Sequence, residues 1–225
     1  MTEHWTSRLH STCSVLAWCA LINVLVLAFT VLGGVIFGIG PALAAAFTLT
    51  RRYIQGYGIR TVRDFATIWR RELFRGTAVM LPVLVVTMTL WSNYSLFTGL
   101  GPDASAARLA TLAALVVLAG IAAYVGPMYA HFDLPLRMYA WQASRFALAY
   151  PASTIILLFV LAATTFVTAV FPVLLLTISA GAWIYLSTWL CLRFFAENDA
   201  KLADQTLAGP PADQRILPAE PLRIH

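Results

Sequence analysis

The chain has 225 residues, of which 60% are hydrophobic and only 11% charged, and its mean hydropathy is +0.78. A soluble domain needs about a quarter of its residues charged to cover its surface, so the composition excludes an ordinary globular enzyme, a disordered chain and a secreted disulfide scaffold, and points to an integral membrane protein. The net charge of +5 does not indicate a nucleic-acid ligand, because seven of the fifteen basic residues fall between Arg51 and Arg75, flanked by long apolar runs, as in a cytoplasmic loop.

Four stretches carry no Asp, Glu, Lys, Arg or His: residues 11–50, 76–102, 109–130 and 146–192. A helix crosses the hydrocarbon in about 20 residues at roughly 1.5 Å each. The first run, at 40 residues, is twice that length, and it far exceeds the apolar core of a signal peptide, about 7–15 residues. It is expected to be retained, membrane-embedded and broken at Gly33-Gly34 or Gly38-Ile-Gly40-Pro41. The preferred reading is a helix over 13–34, then a shorter one over 41–54 that starts on Pro41 and returns to the cytoplasmic surface. One broken span with an outside N-terminus is the alternative. The second and third runs predict one span each. The fourth predicts two, at 152–171 and 174–193, with breaks available at Phe171-Pro172 and Ser179-Ala-Gly181.

The fold class is therefore all-α: a polytopic helical membrane protein with five or six membrane segments and amphipathic inner-surface helices. Residues 1–195 form the membrane domain. Residues 196–225 are polar, and Gly209-Pro210-Pro211, Pro218 and Pro221 deny them a regular element, which predicts a flexible cytoplasmic tail. The excess of Arg over Asp and Glu in 51–75 and 131–151 places both in the cytoplasm, and the tail, with Arg193, Lys201, Arg215 and Arg223, joins them in step with the alternation of spans, for a multi-pass protein of the inner (plasma) membrane.

A pattern recurs along the chain. Gly40-Pro41 leads through the arginines to Trp69 and, five residues on, Phe74, and then to a span. Gly126-Pro127 leads through Arg137 to Trp141, Phe146 and a span. The order describes a weak internal repeat over about 13–97 and 107–171. Within it the segment from Thr61 to Arg75 reads as an amphipathic helix, with Thr61 and Asp64 as a capping pair, Phe65 and Trp69 anchored in the interface and Arg63, Arg70 and Arg71 facing headgroups. Phe65, Trp69, Arg70, Arg71, Trp141 and Arg145 are accordingly candidates for interfacial docking, against lipid or a partner.

Polar residues inside the apolar runs are few, and each is a functional candidate by default. Asn23 stands in the middle of the first span, as a helix-to-helix hydrogen bond or a pathway contact. Gly34 and Gly38 form a G-x-x-x-G step, for close packing or a hinge. With Pro41, Gly126, Pro127, His131 and Asp133 these make up the candidate packing or pathway residues. His131-Phe132-Asp133 invites an acid/base role, but a general base needs a partner and an oriented substrate that the sequence does not name, and the group reads as a snorkelling interfacial pair. No catalytic residue, cofactor or metal is expected. Cys13, Cys19 and Cys191 lack metal-ligand spacing, and the P-loop, H-E-x-x-H, G-x-S-x-G and Rossmann patterns are absent.

The constellation of Asn23, Gly33, Val35-Ile-Phe-Gly-Ile-Gly-Pro-Ala42, Arg51-Arg52, Asp64-Phe65, Trp69 and His131-Phe132-Asp133-Leu134-Pro135 resembles the YesL-like family of bacterial membrane proteins. The likeness covers about residues 10–195, and its most specific part is the F-x-I-G-P-A turn followed by the basic stretch. The family has no established biochemical activity, and its members often accompany genes for binding-protein-dependent carbohydrate importers. The resemblance thus implies a non-enzymatic accessory or regulatory role, with the lipid bilayer and importer membrane subunits as partners and no nucleic acid. A small transporter or channel for a neutral solute is the alternative, weakened by the shortage of intramembrane charge.

Overall fold

The computed structural model describes residues 2–132 and 135–208, and among them there is no strand. The helices are α1 (Thr2–Leu32), α2 (Ile36–Ile54), α3 (Thr61–Arg71), α4 (Leu73–Gly99), α5 (Ser105–His131), α6 (Leu136–Ala149), α7 (Pro151–Val170), α8 (Val173–Thr177) and α9 (Ser179–Ala208). The stretches Thr12–Leu32, Leu73–Gly99, Pro102–His131 and Pro151–Val170 are long and apolar enough to cross a membrane, so the protein is an all-α, multi-pass membrane protein. The expected return helix and final segment, here α2 and the α8–α9 pair, fall outside that set of four.

The long first run breaks at the earlier of its two glycine clusters. Gly34 (φ 73°) and Val35 (φ 59°) take left-handed backbone conformations between α1 and α2, a geometry that glycine adopts without strain and valine does not. The hairpin is closed tightly, since a Cβ on Gly38 would lie 2.3 Å from the Thr30 carbonyl oxygen and one on Gly33 would lie 2.4 Å from the Gly38 Cα. Gly34 itself faces open space. The close approach is therefore made by Gly33 and Gly38, and Gly34 is the turn residue rather than a packing partner.

Because the break comes early, Pro41 does not open a helix as the sequence suggests; it lies inside α2. Proline has no N–H to give the carbonyl four residues back, and that carbonyl, Phe37 O, lies 3.2 Å from the Thr77 hydroxyl, which shares its hydrogen with the nearer Leu73 carbonyl at 2.6 Å. The contact is possible because α2 crosses the first turns of α4 backbone against backbone. A Cβ on Gly40 would stand 2.7 Å from the Thr77 Cα, and one on Gly76 would stand 3.1 Å from the Pro41 Cα. Further along, α2 crosses the last turns of α5, where the Phe47 ring fills the space above Gly126 and a Cβ there would clash at 2.2 Å. Small residues at these crossings let helices approach where lipid offers no hydrophobic drive for them to do so. Thus α2 is a strut laid over one end of the α4–α5 hairpin.

The fourth apolar run breaks twice, after Val170 and at Ile178. The second break sits beside α1. The Asn23 side chain, fully buried, donates to the carbonyls of Leu175 (3.1 Å) and Leu176 (2.8 Å). Its Oδ1 accepts from the N–H groups of Ala180 (2.9 Å) and Gly181 (3.3 Å). One amide thus satisfies the backbone that the interruption leaves open, which hydrocarbon cannot do. The chain divides into two compact units at Cys191 and Leu192. Residues 192–208 are helical, where the sequence reading ends a helix at 193 and has an irregular tail from 196. The rest of the expected tail, residues 209–225, lies outside the described residues.

Candidate functional site

The segment after α2 was expected to lie on the membrane surface through its aromatic face. Helix α3 does form, and Asp64 accepts from the Arg60 N–H at 2.9 Å, so the cap residue is Arg60 and Thr61 is already helical. Its aromatic face turns inward: Phe65 is fully buried and Trp69 nearly so. Phe29 of α1 packs against both, with ring centroids 4.9 Å and 5.4 Å away. Phe65 and Trp69 are therefore core residues, unavailable to lipid or partner, because the α1–α2 hairpin offers their rings an apolar face within the chain. Arg63 and Arg70 are exposed on the outer side, and Arg71, exposed as well, turns back to Glu72. On α6 the corresponding tryptophan is free: Trp141 is 64% and Leu148 83% exposed, with Arg145 also exposed.

Where α2 crosses α4 and α5, the last turn of α2, the α3–α4 junction and the end of α5 enclose a cleft of about 280 Å³ lined by arginine and tyrosine. Thr48, Arg51 and Ala130 form the wall it shares with a second cleft of about 540 Å³, which continues to Arg52, Gln55 and Tyr57. Glu72 is the carboxylate among the described lining residues, and it is buried. Both of its oxygens are engaged. Arg71 reaches Oε1 through Nε at 3.2 Å and Nη2 at 3.1 Å, and the Tyr129 hydroxyl donates to Oε2. Pairing of this kind is what allows a carboxylate to be buried at all.

The remaining walls are held by the ends of α5 and α6. Tyr139 is buried, donates to the Phe132 carbonyl at 2.7 Å and lies 5.1 Å from the Tyr129 ring. The Arg75 guanidinium stands 6.0 Å from the Tyr129 ring centroid, at the outer limit of a cation–π contact. Arg51 donates through Nη1 to the Ala130 carbonyl at 2.7 Å, while its Nε is buried without an acceptor among the described residues. A guanidinium has five N–H donors, so this one reaches the cleft with most of them unspent.

Of the sequence candidates, the structure brings His131 and Arg71 into this cleft. Arg70 stays outside it, and Asp133 lies outside the described residues. Gly126 serves the α2–α5 crossing and Pro127 is buried next to it in α5, and Gly38 and Pro41 serve the α1–α2 and α2–α4 contacts. Asn23 lies at the helix break. Arg51, Glu72, Arg75, Tyr129 and Tyr139 were not singled out as site residues by sequence reasoning. Glu72 carried a signal, as an isolated acid between Arg70-Arg71 and Arg75. Tyr129, 57 residues away, carried none. Among the described residues no group of His, Cys, Asp and Glu could hold a metal ion, and the three cysteines are unpaired.

The family described as "Protein of unknown function, DUF624" matches residues 19–94, the stretch that contains the hairpin, the strut and the basic segment. Among curated proteins of Bacillus subtilis (strain 168), the chain is 32% identical to "Uncharacterized protein YesV" over 151 residues, covering 66% of this chain and 73% of that protein. It is 27% identical to "Uncharacterized protein YteU" over 166 residues (73% and 75% of the two chains). It is 26% identical to "Uncharacterized protein YesL" over 162 residues (70% and 75%). No solved structure matches.

Proposed function

Because the chain belongs to the YesL-like DUF624 family of membrane proteins of unknown function, we propose that it is a non-enzymatic accessory or regulatory subunit of the inner membrane, whose arginine-rich end faces the cytoplasm. The partner proposed is a membrane subunit of a carbohydrate importer, met through that end and through the free face of α6. The C-terminus lies on the same side. The observation that carries this reading is the distribution of polar groups. Among the buried polar side chains of the helical interior, Asn23, Thr50, Thr77, Ser187 and Thr188 each hold a hydrogen bond within the protein, and the interior's two buried atoms without a partner among the described residues, Thr30 Oγ1 and Trp69 Nε1, line none of the clefts described. The charged, open clefts gather at one end instead. A conduit would need polar groups free to meet a solute across the bilayer, whereas a docking subunit needs them at its surface.

Affinity purification from the native membrane in mild detergent tests the proposal. Recovery of importer membrane subunits in constant ratio is the expected result, and repeated recovery of the chain alone would overturn it. A transporter for a neutral solute has one observation in its favour, a groove of about 390 Å³ between α7, α8 and α9 lined by Thr164, Thr165, Thr168 and Ser179. Thr164 and Thr168 spend their hydroxyls on α7 carbonyls. Uptake of sugars by vesicles containing the pure chain would move the balance to that reading.

A further inference from the structure

The cleft beneath α2 has a chemistry more specific than a basic surface. We propose that it is a binding site for a phosphate group, carried by an anionic lipid headgroup or by a free phosphate at the inner surface. Four arginines, Arg51, Arg52, Arg71 and Arg75, line the two joined clefts, against the single carboxylate of Glu72 among the described lining residues. That carboxylate is already occupied on both oxygens, and it fixes the positions of Arg71 and Tyr129 rather than competing for an incoming ligand. Arg51 stands on the shared wall with one N–H bonded to the protein. The Nε–H of Arg51 is buried without an acceptor among the described residues, which is costly, and an oxyanion in the cleft would take bidentate, charge-assisted hydrogen bonds from such a guanidinium.

The four cleft residues are all arginine, whose planar fork is matched to phosphate oxygens. The smaller cleft, about 280 Å³, lies just under the roughly 300–1,000 Å³ of pockets for larger organic ligands, which suits a headgroup. The site is separable from the accessory reading: ligand binding is measured on the pure chain, and partner recovery on the native membrane, so either can fail while the other stands.

The experiment uses the full chain in nanodiscs. In one arm inorganic phosphate is titrated calorimetrically into the chain in phosphatidylcholine discs. In the other, discs of equal parts phosphatidylcholine and phosphatidylglycerol are dissolved in detergent, and the phosphatidylglycerol retained is counted by native mass spectrometry. Saturable binding in the first arm assigns a free phosphate, and selective retention in the second assigns the lipid headgroup. In whichever arm responds, Arg51→Gln is expected to weaken binding about tenfold or more. Arg52→Gln, an exposed residue on the second cleft, should weaken it without any effect on folding. Arg63→Gln removes the same charge from the exposed face of α3, outside the cleft, and should leave it unchanged. No response in either arm would overturn the proposal, as would an equal loss in Arg63→Gln, which would mean diffuse surface attraction. Binding of a polyglutamate peptide with neither phosphate arm responding would assign the cleft to an acidic protein segment and overturn it as well.

Discussion

Single polar atoms decide much of this structure, because a backbone group exposed to hydrocarbon has no water to fall back on. Asn23 serves two carbonyls and two N–H groups at the α8–α9 break. Replacing it with leucine leaves all four without that partner. Individual hydrogen bonds between membrane helices average only about 0.6 kcal/mol and reach about 1.7, so the expected loss for Asn23→Leu is about 2 kcal/mol, read as a lower midpoint of thermal unfolding in detergent. An unchanged midpoint would mean that the break is satisfied in some other way. Thr77→Val removes the hydroxyl that bonds Leu73 O and reaches the Phe37 carbonyl left open by Pro41. It should cost about 1 kcal/mol, the usual net value of one hydrogen bond.

At the level of the helix, the two Trp-x4-Phe segments diverge, and the reason is what each meets. Trp69 lies under α1, whereas Trp141 is 64% exposed. Trp69→Ala should therefore destabilise the chain by about 3 kcal/mol, as emptied aromatic core sites do. Trp141→Ala should stay within about 0.5 kcal/mol. Equal midpoints for the two variants would refute the assignment of α3 to the core. The crossing of α2 over α4 makes a matching contrast. Gly40→Val forces a side chain into the Thr77 backbone and should lower expression and thermal stability sharply, while Gly58→Val, in open space, should be neutral. Periodicity placed Phe65 and Trp69 on one face of a helix correctly, but it says nothing about whether lipid or protein covers that face. Likewise Gly33-Gly34 and Phe171-Pro172 announced breaks in the chain, because backbone freedom and a missing N–H are local properties. The cleft was illegible for the opposite reason: Glu72 meets Tyr129 only when the two ends of the α4–α5 hairpin come together, and Arg51 meets Ala130 only after α2 has crossed α5.

For the whole molecule, the proposed orientation is open to direct test. Cys19 and Cys191 are buried and Cys13 is exposed, so a Cys13→Ser background leaves little reactive thiol. Thr67→Cys, on the exposed side of α3, should then resist an impermeant maleimide in intact cells and react in inverted vesicles. Reaction in intact cells would reverse the orientation. The Asn23 contact also has a consequence for how the protein is made. The first helix is synthesised about 150 residues before the segment it holds, which at roughly 5–20 residues per second is an interval of about 8–30 s. Throughout that interval its amide must sit in the translocon or the bilayer with no native partner. Release of a nascent chain before residue 175 would leave it there permanently, so the polar mark that closes the finished bundle would also expose an unfinished one to membrane quality control.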